Sequence, residues 1–207
     1  KLSFNREQEN LGIGQYMHGC CGVPLTVLSR PAAVAEDTEI NLSHSNSDVV
    51  SAPESVTIPA GNTSVNVSVI GAEAGVDTII ADGGSGLTPD TLIVSVGEGT
   101  VELYNWPNTT VRVGEVVSAG RLILRCPGGG CREQVRVAET TTFSLSAPSN
   151  FVFVDESGQP VSGVTFQAGN YTSEGMYIKG VGMGSGSAVI SATNYVSVTS
   201  SAVVVTN

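Results

Sequence analysis

The sequence is poor in charged and aromatic residues, and each scarcity excludes a class of protein. Of its 207 residues only 14% are charged and 5% aromatic, whereas 41% are hydrophobic. That hydrophobic fraction is too high for a disordered chain. The Ala/Leu/Glu/Lys/Arg periodicity of amphipathic helices is absent. No apolar run approaches the ~18 residues of a membrane-spanning helix, so we expect no membrane insertion.

Basic residues are also scarce, which bears on possible partners. Nine Lys and Arg face nineteen Asp and Glu, giving a net charge of −10. A phosphate backbone or an anionic membrane would be repelled by this charge, so we expect no nucleic-acid partner. The chain starts at Lys1 and shows no signal peptide. We therefore expect a processed product or a piece of a longer protein.

Catalytic side chains are few, and the sequence contains only two histidines. His44 lies in a polar strand-to-turn segment, where we expect it to face water. His18 lies beside Cys20 and Cys21, but no third group is placed to orient it as the base of a cysteine nucleophile. We therefore expect no enzyme and no catalytic residue.

Metal and cofactor motifs do not fit either. Four cysteines could bind zinc, but an adjacent pair and a C-x4-C pair are poor copies of zinc knuckles. The acidic turns at 35–39, 45–48 and 155–158 lack the spacing of a calcium loop. The glycine-dense segment 180–188 resembles a dinucleotide loop, yet an alternating strand follows it instead of a helix. We expect neither a metal nor a cofactor.

The residues that are abundant, namely Gly, Ser, Thr and Val, favour short strands joined by turns. Val65, Val67 and Val69 alternate with polar residues, which indicates a strand with one buried face. Segments 59–62 and 168–170 predict turns, because Gly and Asn tolerate positive φ. About seven short strands per ~100 residues are typical of a β-sandwich.

The chain also repeats itself. Segment 56–82 resembles 164–192, and the opening 2–15 aligns with 102–115. Two copies of one unit, residues 1–97 and 98–207, account for the whole chain. The joint near 96–100 is short enough to couple the two units.

These residues carry a resemblance to a known family. Segment 22–96 contains the pattern L-T-V-x-S, V-T-I-P-A-G-N-T-S and a closing valine strand, and it resembles a bacterial-type immunoglobulin-like surface domain. The second unit keeps A-G-N-Y-T-S but has a longer middle. The resemblance implies two tandem immunoglobulin-like Greek-key β-sandwich domains without catalytic residues. Such domains occur in adhesins, surface layers, filaments and some virus particles.

Cysteines and glycosylation sequons favour an extracellular chain. We expect Cys126 and Cys131 to form a disulfide that pins a glycine-rich turn. Cys20 and Cys21 form either a vicinal pair or a cross-link to a neighbouring copy. Five Asn residues occupy N-x-S/T sequons: Asn41, Asn62, Asn66, Asn108 and Asn170.

The sequence therefore predicts a non-enzymatic extracellular structural protein, a subunit of a filament, coat or stalk. We expect self-association through sheet edges, with residues 1–15 or 201–207 completing the sheet of a neighbour. The alternatives are a virion surface protein and a module that binds a glycan or a surface protein. Tyr104 and Trp106 could form a sugar-stacking platform, although packing explains Trp106 better.

Overall fold

The computed structural model describes residues 1–18, 26–84, 86–127 and 135–207. These residues form 23 β-strands and no helix, which confirms the predicted all-β class. Within these ranges there is accordingly no helix of the length and apolarity needed to cross a membrane.

The strands are short and follow one another closely along the chain. In the first half, residues 1–97, they are β1 (Ser3–Phe4), β2 (Gln8–Gly12), β3 (Gln15–Met17), β4 (Val27–Ser29), β5 (Thr38–His44), β6 (Val50–Ser51), β7 (Ser55–Ile58), β8 (Ser64–Asn66), β9 (Ile70–Gly71), β10 (Gly75–Asp82) and β11 (Asp90–Gly97). In the second half, residues 98–207, they are β12 (Thr100–Tyr104), β13 (Val111–Arg112), β14 (Val116–Arg125), β15 (Val135–Val137), β16 (Thr141–Ser146), β17 (Phe151–Val154), β18 (Gly163–Phe166), β19 (Met176–Gly180), β20 (Gly184–Gly186), β21 (Val189–Ser191), β22 (Val198–Thr199) and β23 (Val203–Thr206).

The first half is built on a five-stranded sheet with the order β2-β11-β10-β5-β7. Burial alternates along β10 and β11, because successive side chains of a strand point to opposite faces. A second, three-stranded sheet has the order β1-β4-β8. The core of this half includes Leu2, Leu11, Leu28, Ile40, Ile58, Ile79, Leu92 and Val94, all fully buried.

The second half repeats the pairing of the first. In both halves the opening strand pairs antiparallel with a later strand, β1 with β4 and β12 with β14. A short strand then pairs parallel with the last strand of its half. Leu11 lies opposite Val96 in one half and Val111 opposite Val205 in the other.

The two predicted Gly-Asn turns are confirmed, and they have the same hydrogen bonds. Gly61 and Gly169 have positive φ, 76° and 82°. The amide of Gly61 donates to Val34 O at 2.8 Å, and that of Gly169 donates to Val137 O at 2.9 Å. The sequence repeat is therefore also a repeat of backbone geometry.

The terminal strand β23 lies between β13 and β20 and pairs with both. Strand β2 likewise pairs with β11 of its own half. Donation of either strand to a neighbour, as the sequence led us to expect, would require breaking these ladders first.

Candidate functional site: a sheet shared by the two halves

One sheet contains strands from both halves. Its order is β15-β3-β9-β6, and only β15 belongs to the second half. Strands β3 and β15 are antiparallel, with Met17 opposite Val135, Tyr16 opposite Arg136 and Gln15 opposite Val137. A swing of one half against the other would break this ladder.

One further backbone hydrogen bond extends the contact between the halves, and a second anchors it within the first half. The amide of Ala138, in the second half, donates to Gly14 O at 2.7 Å. The amide of Gly14 in turn donates to Gly71 O at 2.8 Å. Gly14 has a φ of 73°, a conformation that favours glycine. The reversal between β2 and β3 thus carries hydrogen bonds to both halves.

A buried amide side chain fills the centre of this joint. Gln15 is fully buried, and its Oε1 accepts the amide of Gly12 at 2.9 Å. Its Nε2 lies 3.5 Å from the carbonyl oxygen of Arg125, in the second half. Buried polar groups need such partners, because the protein interior offers no water in exchange. Gln15 therefore couples the two halves as well as β2 and β3.

Glycines allow the backbones to approach closely at the joint. A Cβ at Gly99 would lie 2.5 Å from Cε1 of Tyr195 and 2.9 Å from Nε2 of Gln15. A Cβ at Gly12 would lie 2.8 Å from Cα of Gly99. Tyr195 is itself buried, and burial raises the pKa of its hydroxyl. Residues larger than glycine at positions 12 and 99 would push the halves apart.

A groove of about 450 Å³ runs beside the joint and is lined by both halves. Its walls combine hydroxyl and amide side chains with small apolar ones. The lining residues that carry polar side chains are Ser51, Glu139, Thr140, Thr141, Thr193, Asn194 and Tyr195.

The two aromatic residues of the predicted sugar platform lie close in sequence but differ in exposure. Tyr104 is exposed, whereas Trp106 is half-buried. The Trp106 ring packs against Phe151 and Phe153, with centroids 6.5 and 6.2 Å away. Its Nε1 donates to the carbonyl oxygen of Ser201 at 3.1 Å. Packing occupies most of Trp106, and the platform stays a prediction.

His44 does not simply face water, as its sequence context suggested. It is half-buried, and its Nδ1 lies 2.6 Å from Oδ2 of the fully buried Asp77. Ser45 Oγ and the amide of Asn46 donate to the other carboxylate oxygen at 3.0 and 2.8 Å. Burial alone would raise the pKa of Asp77, but these hydrogen bonds hold it below its ordinary value.

Sequence reasoning missed Asp77, although a signal was present. It occupies an inward position of β10, in phase with Ile79 and Ala81, and a carboxylate at such a position needs partners. The arrangement fixes the loop after β5. It presents a histidine and a carboxylate without a placed nucleophile, since Ser45 donates its hydroxyl to Asp77.

A second buried carboxylate lies on β2. Glu9 is almost fully buried and accepts a short hydrogen bond from the Thr26 hydroxyl. Arg6 Nε lies 3.5 Å from the same carboxylate oxygen. Burial outweighs both contacts and raises the pKa of Glu9.

The cysteine predictions fall largely outside the described residues. Cys126 is buried at the end of β14. Cys20, Cys21 and Cys131 lie outside the described ranges, so the pairing of the four cysteines stays a prediction. Where side chains are described, no group of three or more His, Cys, Asp or Glu could hold a metal ion.

The glycine-dense segment 180–188 leads into strand β21, and not into a helix, as predicted. It therefore lacks the helix N-terminus of a phosphate site.

All five sequon asparagines are exposed, which leaves each of them accessible to modification: Asn41, Asn62, Asn66, Asn108 and Asn170.

Comparison with known proteins gives only distant similarities. No family model matches the chain, and no curated protein matches it. One similar solved structure is that of the S-layer protein rSbsC(31-844), with 16% identity and a TM-score of 0.39. Another is that of the D0-D1 domain of intimin, with 9% identity and a TM-score of 0.34. They cover 100% and 98% of this chain, and 27% and 96% of their own.

A third similar structure is a 282-residue C-terminal fragment of intimin in complex with the intimin-binding domain of the translocated intimin receptor. It shares 8% identity with this chain at a TM-score of 0.36, and covers 99% of this chain and 62% of its own. The chain spans less than a third of the first two S-layer structures it matches. At these TM-scores the likeness decides neither family nor function.

Proposed function

We propose that this chain is a non-enzymatic structural protein of a surface, a stiff two-unit segment of a filament, coat or stalk. The observation that carries the proposal is the sheet β15-β3-β9-β6, which contains strands of both halves. A chain whose halves share a sheet transmits force and keeps a fixed length. A flexible linker needs neither property.

The energetic cost of loosening the joint supports this role. Separation of the halves would remove the contact between the buried Gln15 side chain and the carbonyl oxygen of Arg125. It would also break the Ala138–Gly14 hydrogen bond and the three-residue ladder. Each hydrogen bond contributes about 1 kcal/mol. The fixed arrangement is therefore favoured by several kcal/mol.

Placement at a surface rests on composition and on the family resemblance. The net charge of −10 keeps such a protein soluble, and the five sequon asparagines are exposed. The resemblance to bacterial immunoglobulin-like domains favours a cell surface over a virion surface.

Small-angle scattering of the monomer tests the proposal through a single variant. Ala138→Pro removes the amide that donates to Gly14 and should widen the distance distribution. Ala35→Pro is the control, because Ala35 follows Val34 as Ala138 follows Val137 but is exposed. A wild-type distribution as broad as that of two freely jointed domains would contradict a structural role that depends on stiffness.

The groove supports a second candidate, a module that binds a glycan or a surface protein. Its hydroxyl and amide lining suits a polar ligand. Ser51→Trp should fill the groove and abolish binding on a glycan array, whereas Tyr104→Ala tests the aromatic platform separately. An array without any signal for the wild type would exclude glycan binding.

A further inference from the structure

The far end of the second half has the same backbone geometry as the side of the first half that forms the joint. The amide of Gly14 donates to Gly71 O at 2.8 Å, and that of Gly114 donates to Gly180 O, also at 2.8 Å. Both donor glycines have positive φ, 73° and 87°. A Cβ at Gly71 or at Gly180 would lie 2.5 Å from the carbonyl oxygen of the facing strand. The two ends are thus structural equivalents.

The equivalence extends to the strands beside these glycines. Tyr16 lies opposite Ile70 in the first half, and Val116 lies opposite Lys179 in the second. The amide of Ala72 donates to Val49 O, and the amide of Val181 donates to Asn150 O, both at 2.9 Å. Val116 is therefore the equivalent of Tyr16, and Val181 the equivalent of Ala72.

The two ends differ in what covers them. Strand β15 pairs with β3, in which Gln15 and Met17 are buried. At the far end the equivalent residue Glu115 is exposed, and Val116 is 41% exposed. Strand β14 pairs with β12 through Arg121–Arg125. Its first residues, 116–120, pair with β19 on the other side. We call the exposed apolar residues here the distal face: Val113, Val116, Val181 and Met183.

The strand that covers the joint also has an exposed equivalent. Val137 accepts the amide of the Gly169 turn, and Val34 accepts that of the Gly61 turn. Val137 is fully buried in the joint, whereas Val34 is 46% exposed. Residues 32–34, which we call the proximal segment, are equivalent to β15 but are exposed and outside any strand. The chain thus forms one internal joint, and it also has an exposed equivalent of each of the two surfaces that meet in that joint.

We propose that the distal face of one copy binds the proximal segment of a second copy, head to tail, with the register of the internal joint. Ala33 then lies opposite Val116, as Arg136 lies opposite Tyr16. Exposed Glu36 and Asp37 follow the proximal segment and carry charge opposite to that of exposed Arg112, which precedes the distal face, whereas exposed Glu115 lies beside Val116. The interface joins two different surfaces, and such heterologous contacts produce open filaments unless the rotation between copies closes a ring. This inference rests on the proposed structural role and specifies how copies join.

Covalent capture tests the register directly, because an interface of this size is expected to be weak. Chains with Val116→Cys are mixed with chains carrying Ala33→Cys under mild oxidation, and mass spectrometry identifies the bond between the introduced sulfurs. The matched control replaces Val116→Cys by Val189→Cys, since Val189 is also 41% exposed but lies in another sheet. We expect at least about tenfold faster capture at position 116 than at 189, if the aligned pair is held within disulfide reach.

Sedimentation provides a second readout without introduced cysteines. Val34→Glu should lower concentration-dependent association, because position 34 lies opposite exposed Glu115 in the proposed register. Val76→Glu, at another exposed valine of the first half, should not. Equal capture rates at positions 116 and 189 would overturn the inference, as would wild-type sedimentation without concentration dependence. In a longer chain a following unit could cover the distal face. Capture at position 116 would then fail, and this result would also overturn the inference. If capture fails while scattering still shows one stiff body, the proposed structural role survives and only the head-to-tail contact is wrong.

Discussion

Two equivalent hydrogen bonds, one buried at the joint and one exposed, allow the stability that burial at the joint provides to be predicted. In the first half Gln15 Oε1 accepts the amide of Gly12 at 2.9 Å, and in the second half Glu115 Oε2 accepts the amide of Arg112 at 2.8 Å. The first bond is buried and the second is exposed. Substitution by leucine removes the acceptor in both places. It leaves a buried unpaired amide in only one of them.

The magnitudes follow from burial. Gln15→Leu leaves the buried amide of Gly12 without its acceptor, and an unsatisfied buried group costs about 1–3 kcal/mol. It also removes the 3.5 Å contact to the part-buried Arg125 carbonyl, which adds to the loss. The added burial of leucine offsets about 1 kcal/mol of this loss. We expect Gln15→Leu to lower the free energy of unfolding by about 2 kcal/mol. Glu115→Leu should lower it by less than about 0.5 kcal/mol, because water can replace an exposed acceptor.

Urea unfolding at pH 7, at a protein concentration low enough to keep the chain monomeric, measures both values. The midpoint should shift with an unchanged slope, which would show that stability and not compactness has changed. Equal losses for the two variants would refute the reasoning. They would mean that the contact between the halves does not bury Gln15 in solution.

Three further substitutions test other parts of the structure. Glu9→Gln should raise the free energy of unfolding at pH 7 by about 1 kcal/mol. Because burial raises the pKa of Glu9, the stability that its protonated form contributes is present below pH ~4.5 and lost as pH rises, whereas Gln does not ionise. Urea midpoints across pH 4–8 should therefore converge for the two proteins at the acid end. Asp77→Asn should cost about 2 kcal/mol at pH 7 but little at acid pH, because the lowered pKa of Asp77 gives stability that is lost as pH falls below ~4; a pH-independent difference would contradict this. Gly120→Ala should cost more than about 2 kcal/mol in thermal unfolding, since Gly120 has a φ of 73° and its Cβ would lie 1.9 Å from Tyr104 O. Gly158→Ala, also at positive φ but with open space around the Cβ, is its control.

Local features of the fold could be predicted from the sequence because local chemistry determines them. Alternating valines and Gly-Asn turns indicate strands and reversals wherever they occur, and the turns at Gly61 and Gly169 form as expected. The repeat was visible because equivalent backbone positions require the same residue types. Gly14 and Gly114, which the sequence alignment superimposes, have the same conformation and the same hydrogen bond.

The shared sheet could not be predicted, because an alternating strand does not specify its partner. Nothing in residues 135–137 distinguishes pairing within the second half from pairing with Gln15–Met17. The short linker suggested coupled units, but it gave neither the register nor the groove. Likewise His44 was expected to face water, because the carboxylate that binds it lies on another strand, at Asp77.

The central claim is that the two halves form one stiff body through the sheet β15-β3-β9-β6. Backbone amide ¹⁵N relaxation and residual dipolar couplings of the dilute monomer test it most directly, because they report how each half tumbles and aligns. We expect one rotational correlation time and one alignment tensor to fit both halves, and Ala138→Pro to weaken that agreement. Two separate tensors, with correlation times close to those of isolated domains of about 100 residues, would contradict the account.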